Sequence, residues 1–144
     1  MDDVFRRDCP ARVVLDHVTG RWGVLVLTAL HGGDLRFFEL RNRIEGISEK
    51  MLSQTLRTLV RDGLVRRTVE PTVPPRVTYG LTDLGRGIGG PLRGLTGWIK
   101  GHAAEIVAAQ DAHDRAAANT GGDAGANPQA ASAPGRRNGG TMAG

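Results

Sequence analysis

The chain has 144 residues and one cysteine, so it is the length of one ordinary domain and can build neither an intramolecular disulfide framework nor a cysteine-rich zinc site. Its net charge of +4 and pI near 10.2 suit a polyanionic partner without demanding one. Met1 to Asp8 is polar, and the longest apolar run, Val24 to Leu30, is short and interrupted by Thr28. Nothing therefore reads as a secretory leader or a bilayer span, and a reducing cytoplasm with no membrane partner is the expected setting.

Residues 1–8 read as a flexible arm. Cys9 and Pro10 read as the N-cap and first residue of a helix, since proline at that position gives up no hydrogen bond. Val13, Val14, Leu15 and Val18 make this helix apolar on more than one side, one for the domain body and another for a second surface, with a second subunit as the natural candidate. Thr19-Gly20 breaks the chain. Arg21 to Leu30 then forms a second helix with Trp22, Leu25, Val26, Ala29 and Leu30 as its buried stripe. After a turn at His31 to Asp34 and a short strand at Leu35, Arg36 to Ile44 makes a third helix, tied to the core by Phe37, Phe38, Leu40 and Ile44.

Glu45-Gly46-Ile47 is a short turn, and Ser48 is a good N-cap for a helix from about Glu49 to Asp62, stopped by Asp62-Gly63. At about 100° per residue, Met51, Leu52, Thr55, Leu56 and Leu59 gather on one side and Lys50, Ser53, Gln54, Arg57 and Arg61 on the other. Two short helices joined by such a turn, the second with a basic polar face, are the elements of a helix-turn-helix. Leu64 to Glu70 and Arg76 to Leu81 then read as strands, with Val77, Tyr79 and Leu81 toward one side. The proline-rich link Pro71 to Pro75 makes the hairpin a stiff wing flanked by Arg66, Arg67 and Arg76. Arg36 to Arg76 holds nine cations against five acids, as much net charge as the whole chain.

Thr82 and Asp83 begin a long helical segment spaced by Leu84, Ile88, Leu92, Leu95, Trp98, Ile99, Ile106 and Val107. Gly85, Gly87, Gly89, Gly90 and Pro91 weaken its first half and predict a kink. The glycine cluster lies inside a helix rather than between a strand and a helix, so it is no nucleotide loop. From about Ala116 the composition collapses to Ala, Gly, Asn and Pro. Residues 9–110 are thus the folded domain and 111–144 a disordered Ala/Gly-rich tail, in which Arg136-Arg137 reads as solvated rather than as a DNA contact. The expected fold is mainly α with a small β-wing, a winged helix-turn-helix dimerising through its first and last helices.

His17, His31, His102 and His113 stand at no ligand spacing, and neither a nucleophile-base pair nor a metal or cofactor constellation is visible, so the chain does not read as an enzyme. The chemistry is that of a DNA-binding face: Ser48, Lys50, Ser53, Gln54, Arg57 and Arg61 on the helix, and Arg66, Arg67 and Arg76 on the wing. Arg57 can donate bidentately to guanine and Gln54 can bond adenine, while the wing cations suit phosphates or a minor groove. Cys9 admits two readings. Arg6, Arg7 and Arg12 favour a reactive thiolate, opposed by Asp8, whereas a small half-buried residue with no sensing role fits equally well.

Three segments in order, CPARVVLDHVTGRW, LRFFELRNRIEGISEKMLSQTLRTLVRDGLVRR and PPRVTYGLTDLGR, resemble the HxlR-type winged helix-turn-helix transcriptional regulators, relatives of the MarR group, over roughly Asp8 to His102. The resemblance implies a cytoplasmic homodimer that regulates transcription on a double-stranded operator, with the Ser48 to Asp62 helix in the major groove. It also implies an inducer, an electrophile, oxidant or other small molecule, and places Cys9 where some members carry a sensing cysteine. The departures are the glycines and proline between Gly85 and Gly94 and the long tail. The competing reading is a winged-helix module that binds protein and has given up DNA.

Overall fold

Helix formation follows the capping signals closely in the first two thirds of the chain. The structure, a computed structural model, describes residues 3–124, with the backbone alone for 122–124. In order it contains α1 (Pro10–Thr19), α2 (Arg21–His31), β1 (Leu35–Arg36), α3 (Phe37–Arg43), α4 (Glu49–Arg61), β2 (Val65–Glu70), β3 (Arg76–Leu81) and α5 (Asp83–Ala124). The sheet is antiparallel with β3 at its centre, pairing Leu35 with Tyr79 on one side and running from Val65 opposite Leu81 to Glu70 opposite Arg76 on the other. This is the winged helix-turn-helix that the sequence predicts, with a strand of two residues before α3 and a five-residue wing loop, 71–75.

The core is one cluster. Val26, Leu27 and Leu30 of α2 meet Leu52, Leu56 and Leu59 of α4, closed by Leu40 and Ile44 from α3, Leu64, Val65 and Leu81 from the wing, and Leu92 from α5. Burying a leucine or valine side chain contributes about 1.5–3 kcal/mol, so this cluster fixes how α2, α3, α4 and the sheet sit together. Four expected core positions differ. Leu25 is exposed and Leu27 buried in its place, because α2 turns a slightly different edge to α4; Trp22 packs against the cluster only in part. Phe38 is 54% exposed with the Arg36 guanidinium stacked over its ring at 5.4 Å, so Phe37 alone of the two ties α3 to the core. Met51, in the first turn of α4, lies beyond the edge of the core and is also exposed.

The glycine-rich start of α5 is continuous helix through Pro91. Each such glycine costs about 1 kcal/mol against alanine, and the sequence expectation counted only that cost. Two of them are places of close approach. A methyl group on Gly85 would run into the Leu64 carbonyl oxygen, and one on Gly89 would come within 3.0 Å of Nδ1 of His31. Glycine there lets α5 lie on the backbone of the α4–β2 turn and on the His31 ring, and burial of Leu92 with partial burial of Ile88 offsets the lost propensity. Thr82 completes the start: its hydroxyl donates to the Gly63 carbonyl at 2.6 Å and accepts the Gly85 N–H at 3.0 Å.

The described residues fall into two units, one ending at Lys100 and one beginning at Gly101. The first holds every element up to the early part of α5. In the second the helix runs to Ala124, so residues 111–124, expected to belong to the tail, are helical; the alanines among them are strong helix formers, which the compositional reading passed over. Ile106 and Val107 of this unit are exposed. The remainder of the expected tail, including Arg136-Arg137, lies outside the described residues.

The two kinds of glycine separate in one experiment. Gly85→Ala is expected to lower the unfolding free energy by about 1–3 kcal/mol, because the backbone it meets has to move. Gly87→Ala, which meets open space on the same helix, is expected to be neutral or to stabilise by up to about 1 kcal/mol in the same denaturant titration.

Candidate nucleic-acid interface

Both ends of α4 are tied to the protein body. Ser48 accepts the Met51 N–H at 3.1 Å through its side-chain oxygen, satisfying one of the unpaired donors of the first turn, and Glu49 beside it pairs with Arg41 of α3. At the other end Gly63, at φ +76°, lets its own N–H reach the Val60 carbonyl and the Leu64 N–H reach the Leu59 carbonyl. The Asp62 carboxylate is joined to Nδ1 of His17 in α1 at 2.7 Å. With the carboxylate as acceptor, Nδ1 is the donor of this pair. Asp62 lies where the helix dipole disfavours an anion, and the histidine supplies the missing donor.

With its ends fixed and Leu52, Leu56 and Leu59 buried, α4 presents Lys50, Gln54, Arg57 and Arg61 to solvent, with Ser53 half-buried at the edge. Arg57 donates from Nη2 to the Ser53 side-chain oxygen at 3.1 Å, which orients its guanidinium along the helix. Ser48 is committed to its cap by one accepted bond, and its hydroxyl keeps its own hydrogen and a second lone pair for any other partner.

The wing divides its arginines by strand alternation. Arg67, opposite Tyr79, faces the α4 side of the hairpin and lines a cleft of about 350 Å³ with Ser53, Leu56, Arg57, Val60 and Tyr79. Arg66 faces the other way. Its Nη1 donates to the Leu81 carbonyl at 3.3 Å and its Nη2 lies 3.5 Å from the Asp34 carboxylate, fastening the wing to the turn before β1. Gly80 makes room for that contact, since a side chain there would collide with Asp34. Arg76 is exposed near the tip, opposite Glu70. The structure thus brings Lys50, Ser53, Gln54, Arg57, Arg61 and Arg67 to α4 and the cleft beside it, sets Arg76 at the wing tip, and directs Arg66 to the opposite face of the hairpin toward Asp34. Among the described residues Lys50, Arg57, Arg61, Arg67 and Arg76 have no carboxylate partner. Sequence reasoning missed three contributors: Tyr79, noted only for its alternation; His17, dismissed for lacking ligand spacing; and Arg36 on Phe38, which leaves no periodic signal.

Cys9 caps α1 through its backbone, makes no side-chain cap bond, and is 5% exposed. The surrounding cations are partly spent. Arg6 pairs with Asp8 at 3.1 Å, and that guanidinium holds the Asp8 carboxyl below its usual range; Arg12 donates to the Phe5 carbonyl at 2.9 Å. The thiol is therefore more enclosed, and its electropositive setting weaker, than the run of arginines predicts. No group of histidine, cysteine and carboxylate side chains able to hold a metal ion occurs among the described residues, and no single helix there is long and apolar enough to cross a membrane.

A basic helix held outward by its core face and flanked by a β-hairpin defines a winged helix-turn-helix of the kind used by transcriptional regulators. The chain belongs to the HxlR-like helix-turn-helix family, whose model matches residues 17–106. It is 47% identical over 109 residues to the uncharacterised HTH-type transcriptional regulator YtfH of Escherichia coli (strain K12), covering 76% of this chain and 86% of that protein. Among solved structures, YtfH from Salmonella typhimurium, described as a candidate transcriptional regulator, is similar at 43% identity and a TM-score of 0.73, over 77% of this chain and 99% of that one. The redox regulator HypR in its oxidised form is similar at 34% identity and a TM-score of 0.61, over 65% and 96%. The chain is accordingly an HTH-type transcriptional regulator.

The cap gives a direct check on how the face is held. Ser48→Ala is expected to cost about 1 kcal/mol in chemical unfolding, and Ser48→Asp, which keeps an acceptor at the N-cap, to restore most of it.

Proposed function

We propose that this chain binds an operator in duplex DNA as a homodimer and represses transcription, with α4 in the major groove, the wing on the adjacent backbone, and release triggered by oxidation or alkylation of Cys9. The observation that carries the reading is the outer face of α4. Lys50, Arg57 and Arg61 have no acidic partner among the described residues, Gln54 stands among them, and the opposite side of the helix is locked into the core. Cations kept free of carboxylates on a rigid helix are suited to phosphates and to base edges. Arg67 and Arg76 extend the same field onto the wing. Arg66, committed to Asp34 and the Leu81 carbonyl, has a structural part instead.

Dimer formation is supported by apolar side chains left outside the core. Val13, Val14 and Leu15 of α1 are 39–47% exposed, and Leu95, Trp98 and Ile99 of α5 are 46–58% exposed, apolar surface that a second subunit would cover. Two recognition helices related by a two-fold axis read half-sites one turn of DNA apart. The Cys9 reading is supported by the likeness to HypR, a redox regulator, and by the position of the thiol at the start of α1. Because Cys9 is the chain's only cysteine, oxidation gives an intersubunit disulfide, a mixed disulfide or an adduct, and because the thiol is buried, any of these displaces the start of α1. Release then follows as a shift between two populations of the dimer.

In a fluorescence titration of operator DNA at controlled salt, Arg57→Ala and Arg76→Ala are each expected to weaken binding, Arg57→Ala by roughly 5- to 150-fold, and each to make the salt slope shallower. Unchanged affinity in both variants contradicts the proposed docking, and absence of salt-dependent duplex binding by the unaltered protein favours a protein-binding module. Cys9→Ser is expected to abolish release by quinone, aldehyde or hypochlorite. Full release from the serine variant excludes sensing through this thiol.

A further inference from the structure

The cleft between α4 and the root of the wing contains more than the basic face requires. Arg57 from the helix and Arg67 from β2 enter it from opposite walls, and neither has a carboxylate partner among the described residues. Ser53 already accepts one N–H of Arg57, which leaves the rest of that guanidinium's donors unused. Leu56, 2% exposed, and Val60, 36% exposed, give the cleft an apolar lining that strengthens any charge interaction made there. Tyr79 is the remaining wall. Its ring packs against the core, while its phenol oxygen makes no hydrogen bond within the described protein and is not fully enclosed. Its place in the ladder, between Leu35 of β1 and Arg67 of β2, holds it still.

Two guanidiniums, an unpaired phenol and an apolar lining fit one kind of guest, a singly charged group with two exposed oxygens. We infer that this cleft is a phosphodiester clamp, in which Arg57 and Arg67 take the charge of one backbone phosphate of the bound duplex and the Tyr79 hydroxyl donates to one of its oxygens. The inference rests on the DNA-binding reading above and adds to it a contact residue, Tyr79, and a location: the wing grips the backbone at its root, beside α4, as well as reaching out with its tip. Tyr79 is a positioning contact. It carries no charge, so its effect separates from that of the arginines in the dependence of binding on salt.

The test is a salt series of duplex titrations with the full-length protein and its Arg67→Ala, Arg67→Lys and Tyr79→Phe variants. Arg67→Ala is expected to make the slope of log affinity against log salt shallower, by less than the roughly 0.9 of one whole phosphate because Arg57 stays on it, and Arg67→Lys to keep the slope while losing part of the affinity. Tyr79→Phe is expected to lose roughly tenfold in affinity with its slope unchanged, the signature of a neutral donor taken from a charged acceptor. It keeps the ring that packs on the core, and a thermal midpoint equal to that of the unaltered protein shows that the loss is a lost contact. Wild-type affinity and slope in both Arg67→Ala and Tyr79→Phe, with Arg57→Ala still impaired, overturns the clamp and leaves the DNA-binding reading standing. Absence of salt-dependent duplex binding by the unaltered protein overturns both.

Discussion

The side of α4 that carries Leu52, Leu56 and Leu59 is fully buried, and a helix turning about 100° per residue then has no freedom over which residues face outward. Everything about the basic face follows from that burial. Leu27 and Leu30 of α2 and Leu64 and Val65 after Gly63 supply the other half of the contact, so a change in how α2 packs rotates Gln54, Arg57 and Arg61 with it. The ends are held by different chemistry: a side-chain cap at Ser48 and an ion pair to α3 at the start, a glycine in the left-handed region and the His17–Asp62 hydrogen bond at the finish. Held at both ends and along one side, the helix offers its polar residues in a fixed array, which lowers the ordering cost of any partner that matches it.

The His17–Asp62 contact connects this array to α1, the helix that begins at Cys9 and leaves Val13, Val14 and Leu15 exposed. A displacement of α1 therefore has a short physical route to the end of α4: one hydrogen bond between a half-buried imidazole and a carboxylate that is itself largely buried. Such a link is costly to break, since it would leave an unpaired buried acceptor. On the proposed reading, chemistry at the start of α1 and the position of the recognition helix are coupled through α1 as a rigid element.

Sequence pattern revealed most of this arrangement where the signals were local. Ser48, Asp62-Gly63, the two-residue alternation of Val77, Tyr79 and Leu81, and the proline-rich link each specify a piece of backbone within a few residues of themselves, and all four elements lie where those signals place them. What escaped was set by contacts distant in sequence. Gly85 and Gly89 look like helix breakers until Leu64 and His31 are seen against them. Arg66 and Arg67 are neighbours with the same charge, yet one is fastened to Asp34 and the other opens into the cleft beside α4; alternation separates them, and only the register with β3 says which faces which way. Hydrophobicity alone marks Phe38 as a core residue, whereas Arg36 covers its ring at the surface. The cations around Cys9 were counted without the acid and the carbonyl that occupy them.

Whether the outward face of α4 reads duplex DNA in a two-fold dimer is decided by capturing the DNA bound by this protein across the genome and deriving the common motif. The expected result is a palindromic motif whose half-sites are centred about one helical turn apart, as two α4 helices related by a dyad require. An asymmetric motif, or none, would contradict it.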